Sequence, residues 1–164
     1  MKKTQTEILE SKLFDWESFK RMREGWGFLN HKVVFTNGCF DIIHRGHIEY
    51  LAKASDLGDI LIVGLNTDES VRRIKGENRP INDENARSLV LAALKFVDAV
   101  VLFNEDTPYE LIKLAKPHVL VKGSDYTEDT IVGADIVKEN GGEIVTMDLV
   151  PGYSTSDIID KSAE

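Results

Sequence analysis

Apolar and polar positions along this chain alternate in two rhythms. Trp16, Phe19, Met22 and Trp26 fall at roughly helical spacing, so Asp15 to Glu24 is expected to form an amphipathic helix. "KVVFT" from Lys32 is a β-branched and aromatic run that ends at Asn37-Gly38, which predicts a buried strand followed by a turn. From Arg45 to Leu57, Ile48, Leu51, Ala52 and Ser55 share one helical face, with Gly58 expected in the left-handed position beyond the helix end. "DILIVGL" then predicts a second strand. Asp83 to Phe96 is expected to be a helix with Leu89, Ala93 and Phe96 inward, "DAVVLF" a third strand, and Thr107-Pro108 an N-cap with proline at the first helical position. "HVLVKG" is the fourth predicted strand. Thr130 to Asn140 is a helix closed by Gly141-Gly142, and "EIVTM" is the fifth strand.

Strands that alternate with helices at this spacing pair in parallel through crossovers. The expected architecture is α/β, a Rossmann-like three-layer sandwich around an open, five-stranded parallel sheet. Residues 1–30 form an amino-terminal helical extension in this reading, and residues 31–164 a single domain. The helix carrying Trp16, Phe19 and Trp26 either covers the flank of the sheet or supplies a homodimer contact.

On such a sheet, ligands bind beyond the carboxyl ends of the strands, where the strand order reverses. The segments predicted there are "TNGCFDIIHRGH", "NTDESVRRIKG", "FNEDTP", "KGSDYT" and "LVPGYSTSDII", and all but "FNEDTP" look built for polar work. His44 and His47 stand three apart on the first turn of a helix, so they project together near its positive end. Gly46 between them removes a side chain and lets an anion approach the backbone. Exposed amides, the helix dipole and two imidazoles make a phosphate site.

Charge and composition narrow the field. The chain of 164 residues has a formal net charge of −8, which argues against nucleic acid as a partner. Positive charge for an anionic ligand must therefore be local. The densest basic window, "VRRIKGENRPI", reads from charge alone as a solvated surface loop. Cys39 is the single cysteine, so neither an intrachain disulfide nor a multi-thiolate metal site is possible. His31 and His118 lie at strand starts, away from His44 and His47, and no metal site is expected. No window is apolar for long enough to span a membrane, and the expected setting is cytoplasmic.

"FTNGCFDIIHRGH" resembles the signature of the H-x-G-H nucleotidyltransferases, and "GYSTSDII" resembles their second motif. The resemblance runs from Lys32 to Ile159. With "LNTDES", "KGENRPIN", "VLAALKFVDAV" and "VLVKGSDYT" added, the chain is most similar to the adenylyltransferases of ADP-heptose synthesis, which serve the lipopolysaccharide core. The reaction implied is attack by a sugar 1-phosphate on the α-phosphorus of ATP, with pyrophosphate leaving. That nucleophile is already ionised and needs no general base, so the resemblance gives His44 and His47 to phosphate contacts in the transition state.

It further implies that the turn of Thr36, Asn37, Gly38, Cys39 and Phe40 offers amides to the phosphates, that Lys75 reaches them as a clamp, and that Arg87 does the same. Gly123 and Asp125 match ribose contacts, and Ser154 and Thr155 match triphosphate contacts at a second helix start. Lys122 is assigned to the sugar-phosphate side. Asp41 has two readings, orienting a substrate hydroxyl or capping the following helix. Cys39 reads as a small filler, since this chemistry needs no thiolate. Ser124 stands where the family often has a second glycine. Mg2+ would be carried mainly by the ATP phosphates. Many relatives carry this domain behind a sugar kinase, so a separate kinase is expected to supply the sugar 1-phosphate. Two other readings are a cytidylyltransferase acting on a polyol phosphate such as glycerol 3-phosphate, and a nucleotide-binding module without turnover.

Overall fold

A computed structural model describes residues 2–162. In chain order the elements are α1 (Gln5–Glu10), β1 (Leu13–Phe14), α2 (Trp16–Phe28), β2 (Val33–Gly38), α3 (Arg45–Ser55), β3 (Ile60–Asn66), α4 (Asp68–Lys75), α5 (Glu84–Ala93), β4 (Ala99–Phe103), α6 (Tyr109–Ala115), β5 (Val119–Gly123), α7 (Ala134–Glu139), β6 (Glu143–Met147) and α8 (Thr155–Ser162). The sheet has six strands, not the five expected, in the order β1-β4-β3-β2-β5-β6. The addition is β1, which pairs in parallel with Val100 and Val101 of β4. Two residues carry no periodic signal of their own. They form a strand because the edge of β4 offers backbone groups, and Trp16 fixes the approach by donating its indole N–H to the Leu102 carbonyl at 2.8 Å.

Alternation along the strands divides the core into two. Val33 and Phe35 face one side of the sheet with Phe19 of α2, Leu111 and Ile112 of α6, and Val137 of α7. Val34 faces the other with Leu51 and Ala54 of α3 and Leu91 of α5. These are the three layers. The segment read as an amino-terminal extension thus supplies both an edge strand and a fully buried core residue, Phe19. The end of the same helix leaves Phe28 and Leu29 exposed.

Several local expectations are corrected. Gly58 has no left-handed backbone; instead the chain passes so close to β2 that a Cβ there would lie 2.5 Å from the Lys32 carbonyl oxygen. On α5 the buried residues are Arg87, Ser88, Leu91 and Ala92, while Leu89 and Ala93 are exposed, because the helix is turned to put a guanidinium at the carboxyl ends of β2 and β3. Pro108 is the N-cap of α6, not its first residue. The helix expected from Thr130 starts at Ala134, where Gly133 takes a left-handed φ of 85°. No described helix is long and apolar enough to cross a membrane.

Candidate active site

The chain order predicts where the sheet must open, between β2 and β5, whose connections leave in opposite directions. β2 pairs with β3 along its whole length, from Val33 to Gly38. With β5 it pairs only at Val34–Val119 and Phe35–Leu120. Beyond these pairs lies a cleft of about 680 Å³.

The turn after β2 forms its floor. Thr36 is buried, with its hydroxyl 2.8 Å from the Tyr50 hydroxyl of α3, and does not line the cleft. Asn37, Gly38, Cys39 and Phe40 do. Phe40 adopts a φ of 44°, a strained conformation for an aromatic residue, and folds its ring under Gly38. A Cβ at Gly38 would sit 3.0 Å from that ring. The Phe40 ring then meets His47 edge-on, with centroids 5.3 Å apart.

His44 is the N-cap of α3 and His47 its third residue. Their rings stack at 3.8 Å with 24° between planes. Gly46, which lines the cleft, also explains the stack. A Cβ there would lie 3.0 Å from both Cε1 and Nδ1 of His44, so the glycine makes room for the ring itself. Burial lowers the His44 pKa, and burial followed by repulsion from His44 takes His47 down to about 4. Both imidazoles are therefore neutral at pH 7 and act as hydrogen-bonding groups rather than fixed charges. His44 Nδ1 is buried with no hydrogen-bond partner among the described residues. Tyr153 stacks beyond His44 at 6.3 Å, and Arg45 lies 5.7 Å over the Tyr153 ring.

Positive charge enters from both flanks of β2. Lys75, in the last turn of α4, comes from the β3 side, lines the cleft and makes no ion pair among the described residues. Lys122 comes from the β5 side. Its ammonium bonds Asn37 Oδ1 and lies 5.6 Å over the Tyr126 ring. Burial lowers its pKa to about 8, against the pull of Asp125. Asp125 folds back so closely that a Cβ on Gly123 would sit 2.6 Å from its Oδ1. Ser124 donates its backbone N–H to the Met147 carbonyl at 2.8 Å, which ties this loop to β6.

Ser154 accepts from the Asp157 N–H at 3.0 Å at the start of α8, and Thr155 reaches the Ile42 carbonyl at 3.4 Å. Both line the cleft, so the second motif packs against the first.

Two sequence-nominated residues are placed otherwise. Arg87 is buried and outside the cleft lining. Its guanidinium donates to the carbonyls of Asn82, Cys39 and Asn66 and to Asp68 Oδ1, which leaves it no reach toward a phosphate. Asp41 lines the cleft but does not cap α3, whose N-cap is His44. That carboxylate accepts from Arg79 Nε and from the Ile81 and Asn82 amides.

Cys39 has its thiol pKa pushed up by burial, as befits a filler. "FNEDTP" also contributes to the lining, through Phe103, Asp106, Thr107 and Pro108. No apolar period or charge run marked it, because the approach of the β4 end to the cleft is a product of strand order. His118 Nδ1 accepts from the Val33 N–H at the opposite end of the sheet. Among the described residues, no group of three His, Cys, Asp or Glu side chains stands close enough to hold a metal.

The cytidylyltransferase-like family pattern matches residues 35–161. Bifunctional protein HldE of Gluconobacter oxydans is 54% identical over 143 residues, which are 87% of this chain and 30% of that protein. Bifunctional protein HldE of Campylobacter jejuni is 59% identical over 132 residues, 80% of this chain and 28% of that one. The chain thus spans about 30% of the length of the curated relatives it matches. Among solved structures, a lipopolysaccharide core biosynthesis protein from Thermoplasma volcanium superposes with a TM-score of 0.61 at 32% identity, covering 73% of this chain and 98% of that one.

Proposed function

This chain belongs to the cytidylyltransferase-like family, and on that basis we propose that it transfers AMP from ATP to a heptose 1-phosphate, giving ADP-heptose and pyrophosphate for the lipopolysaccharide core. The observation that carries this reading is the stacked, neutral pair His44 and His47, set at a helix start on a cleft with one ammonium on each flank. A triphosphate and a sugar phosphate together need positive charge at two places, and Lys75 and Lys122 supply it from opposite sides of β2.

A phosphate oxygen of the sugar 1-phosphate forms a bond to the α-phosphorus as the bond from that phosphorus to the bridging oxygen of pyrophosphate breaks. No proton moves in this step. The protein's task is alignment and charge stabilisation, through donors preset where negative charge gathers. The turn from Asn37 to Phe40 and the start of α8 at Ser154 and Thr155 hold the triphosphate in this reading, Gly123 and Asp125 the ribose, and Lys122 the sugar phosphate. Magnesium would come with the ATP, neutralising phosphate charge; the Asp41 carboxylate is occupied by three donors and is not free to ligate it. We place the reaction in the cytoplasm, with a kinase upstream forming the sugar phosphate.

The test is pyrophosphate release from ATP or CTP against heptose 1-phosphate anomers and glycerol 3-phosphate. Turnover is expected with ATP and one heptose 1-phosphate anomer. Strong use of CTP with glycerol 3-phosphate, or tight ATP binding without product from any sugar phosphate, overturns the proposal.

A further inference from the structure

The segment 76–82, between α4 and α5, has little packing of its own. Glu77, Asn78, Ile81 and Asn82 are exposed, and nothing lies within 4 Å of a Cβ built on Gly76. Such a segment should be loose in solution, yet it follows directly on Lys75, whose position the chemistry depends on. Asp41 supplies most of what fastens it. Asp41 accepts from Arg79 Nε at 2.7 Å and from the Ile81 and Asn82 amides at 2.9 Å, while Asn82 Nδ2 donates to the Asp41 carbonyl at 2.8 Å. The Arg79 N–H closes back on the Gly76 carbonyl at 3.1 Å, so fixing Arg79 also fixes the end of α4.

The carboxylate is itself embedded, with its side chain 1% exposed. Burial raises its pKa, but the hydrogen bonds from Asn82, Ile81 and Arg79 outweigh this and hold it below the usual carboxylate range. Arg87 completes the frame. It bonds the Asn82 carbonyl at 3.0 Å, the Cys39 carbonyl at 2.7 Å and Asp68 Oδ1 at 2.7 Å, which joins the strap, the turn after β2 and the start of α4.

We infer that Asp41 is a positioning residue that hangs the 76–82 strap from the turn bearing His44, and so sets Lys75 against the imidazole pair. The two arise from different crossovers, Lys75 behind β3 and His44 behind β2, and Asp41 is the anchor they share. The inference rests on the proposed role of Lys75 as a phosphate clamp. It differs from that role in predicting an interaction between positions 41 and 75 although the Asp41 carboxylate is taken up by Arg79, Ile81 and Asn82.

The test is a double-mutant cycle with Asp41→Asn and Lys75→Ala, reading kcat/KM for ATP, together with amide hydrogen exchange of residues 76–82 in the protein without substrate. Asp41→Asn keeps shape and loses charge. It is expected to lower kcat/KM about 10²-fold, the scale for misplacing a catalytic group. Once Lys75 is gone it should cost little more, because its effect passes through that ammonium. Exchange in the strap should accelerate in Asp41→Asn and not in Lys75→Ala.

Multiplicative losses would mean that Asp41 acts on substrate independently, and would overturn the inference; so would unchanged exchange. If Asp41→Asn fails a thermal-melt check for folding, Arg79→Gln carries the same cycle from the partly exposed side of the ion pair. Should no sugar phosphate turn over, ATP affinity replaces kcat/KM as the readout. The cycle and the exchange then decide the strap's role although the proposed acceptor has failed.

Discussion

His44 and His47 are held by packing rather than by charge. The ring stack, the glycine that admits it and the Phe40 edge all fix the two rings in place, and we propose that they are donors preset before any ligand arrives. Replacing either histidine with alanine is expected to lower turnover by roughly 10²–10³ while leaving the thermal midpoint close to wild type, the scale for losing one preorganised donor. Pyrophosphate release and a melting curve on the same preparation check this; near-normal turnover would remove the donor role.

Lys122 gives a pH signature. With its pKa lowered to about 8, the free enzyme carries the ammonium below that pH and loses it above. KM for the sugar phosphate is therefore expected to rise as pH passes 8. Lys122→Arg, which stays charged, should flatten that rise. A flat wild-type profile would take Lys122 out of the binding step. The type of these residues was legible in the sequence. The fixing of Arg87 and Asp41 was not, since each reads as a charged side chain near the site until the fold gives it partners from other crossovers.

At the scale of elements, helix starts were legible where a side chain caps its own helix. Asp15 and Asp83 each accept from an amide three residues on, and the helices they open begin there; Thr67 caps α4 in the same way, in a stretch whose basic half, from Val71, read from charge alone as a surface loop. Inward faces were less legible, as α5 shows: apolar spacing pointed to Leu89, and the buried arginine turned the helix away. Gly58 is the case where reading a turn residue as a local signal failed. Its reason is non-local, a close approach to β2, where the Lys32 carbonyl accepts from Asp59 at 2.7 Å and Ile60 at 3.2 Å. Gly58→Ala is expected to cost about 1–3 kcal/mol, as crowding a packed contact does. A lowered urea midpoint with unchanged slope would show it; an unchanged midpoint would mean the connection relaxes freely.

For the whole molecule, the amino-terminal segment is the largest departure from the expected layout. We propose that residues 2–30 are integral to the domain. They edge the sheet through β1 and cover one face with Phe19, which is fully buried, and with Trp26 and Phe14 packed edge-on around it. A chain lacking them should lose cooperative unfolding and associate through the uncovered strand β4. If instead it unfolds at the wild-type denaturant midpoint, the segment is a dispensable extension.

The sequence by itself determined the alternation of strands and helices, the parallel sheet and the motifs at the strand ends, because each depends on spacing along a few neighbouring residues. Only the tertiary structure decided the sixth strand, the opening between β2 and β5, the contribution of "FNEDTP" and the anchoring of the strap. These depend on which backbone groups and side chains from distant segments meet, and local spacing carries no information about that.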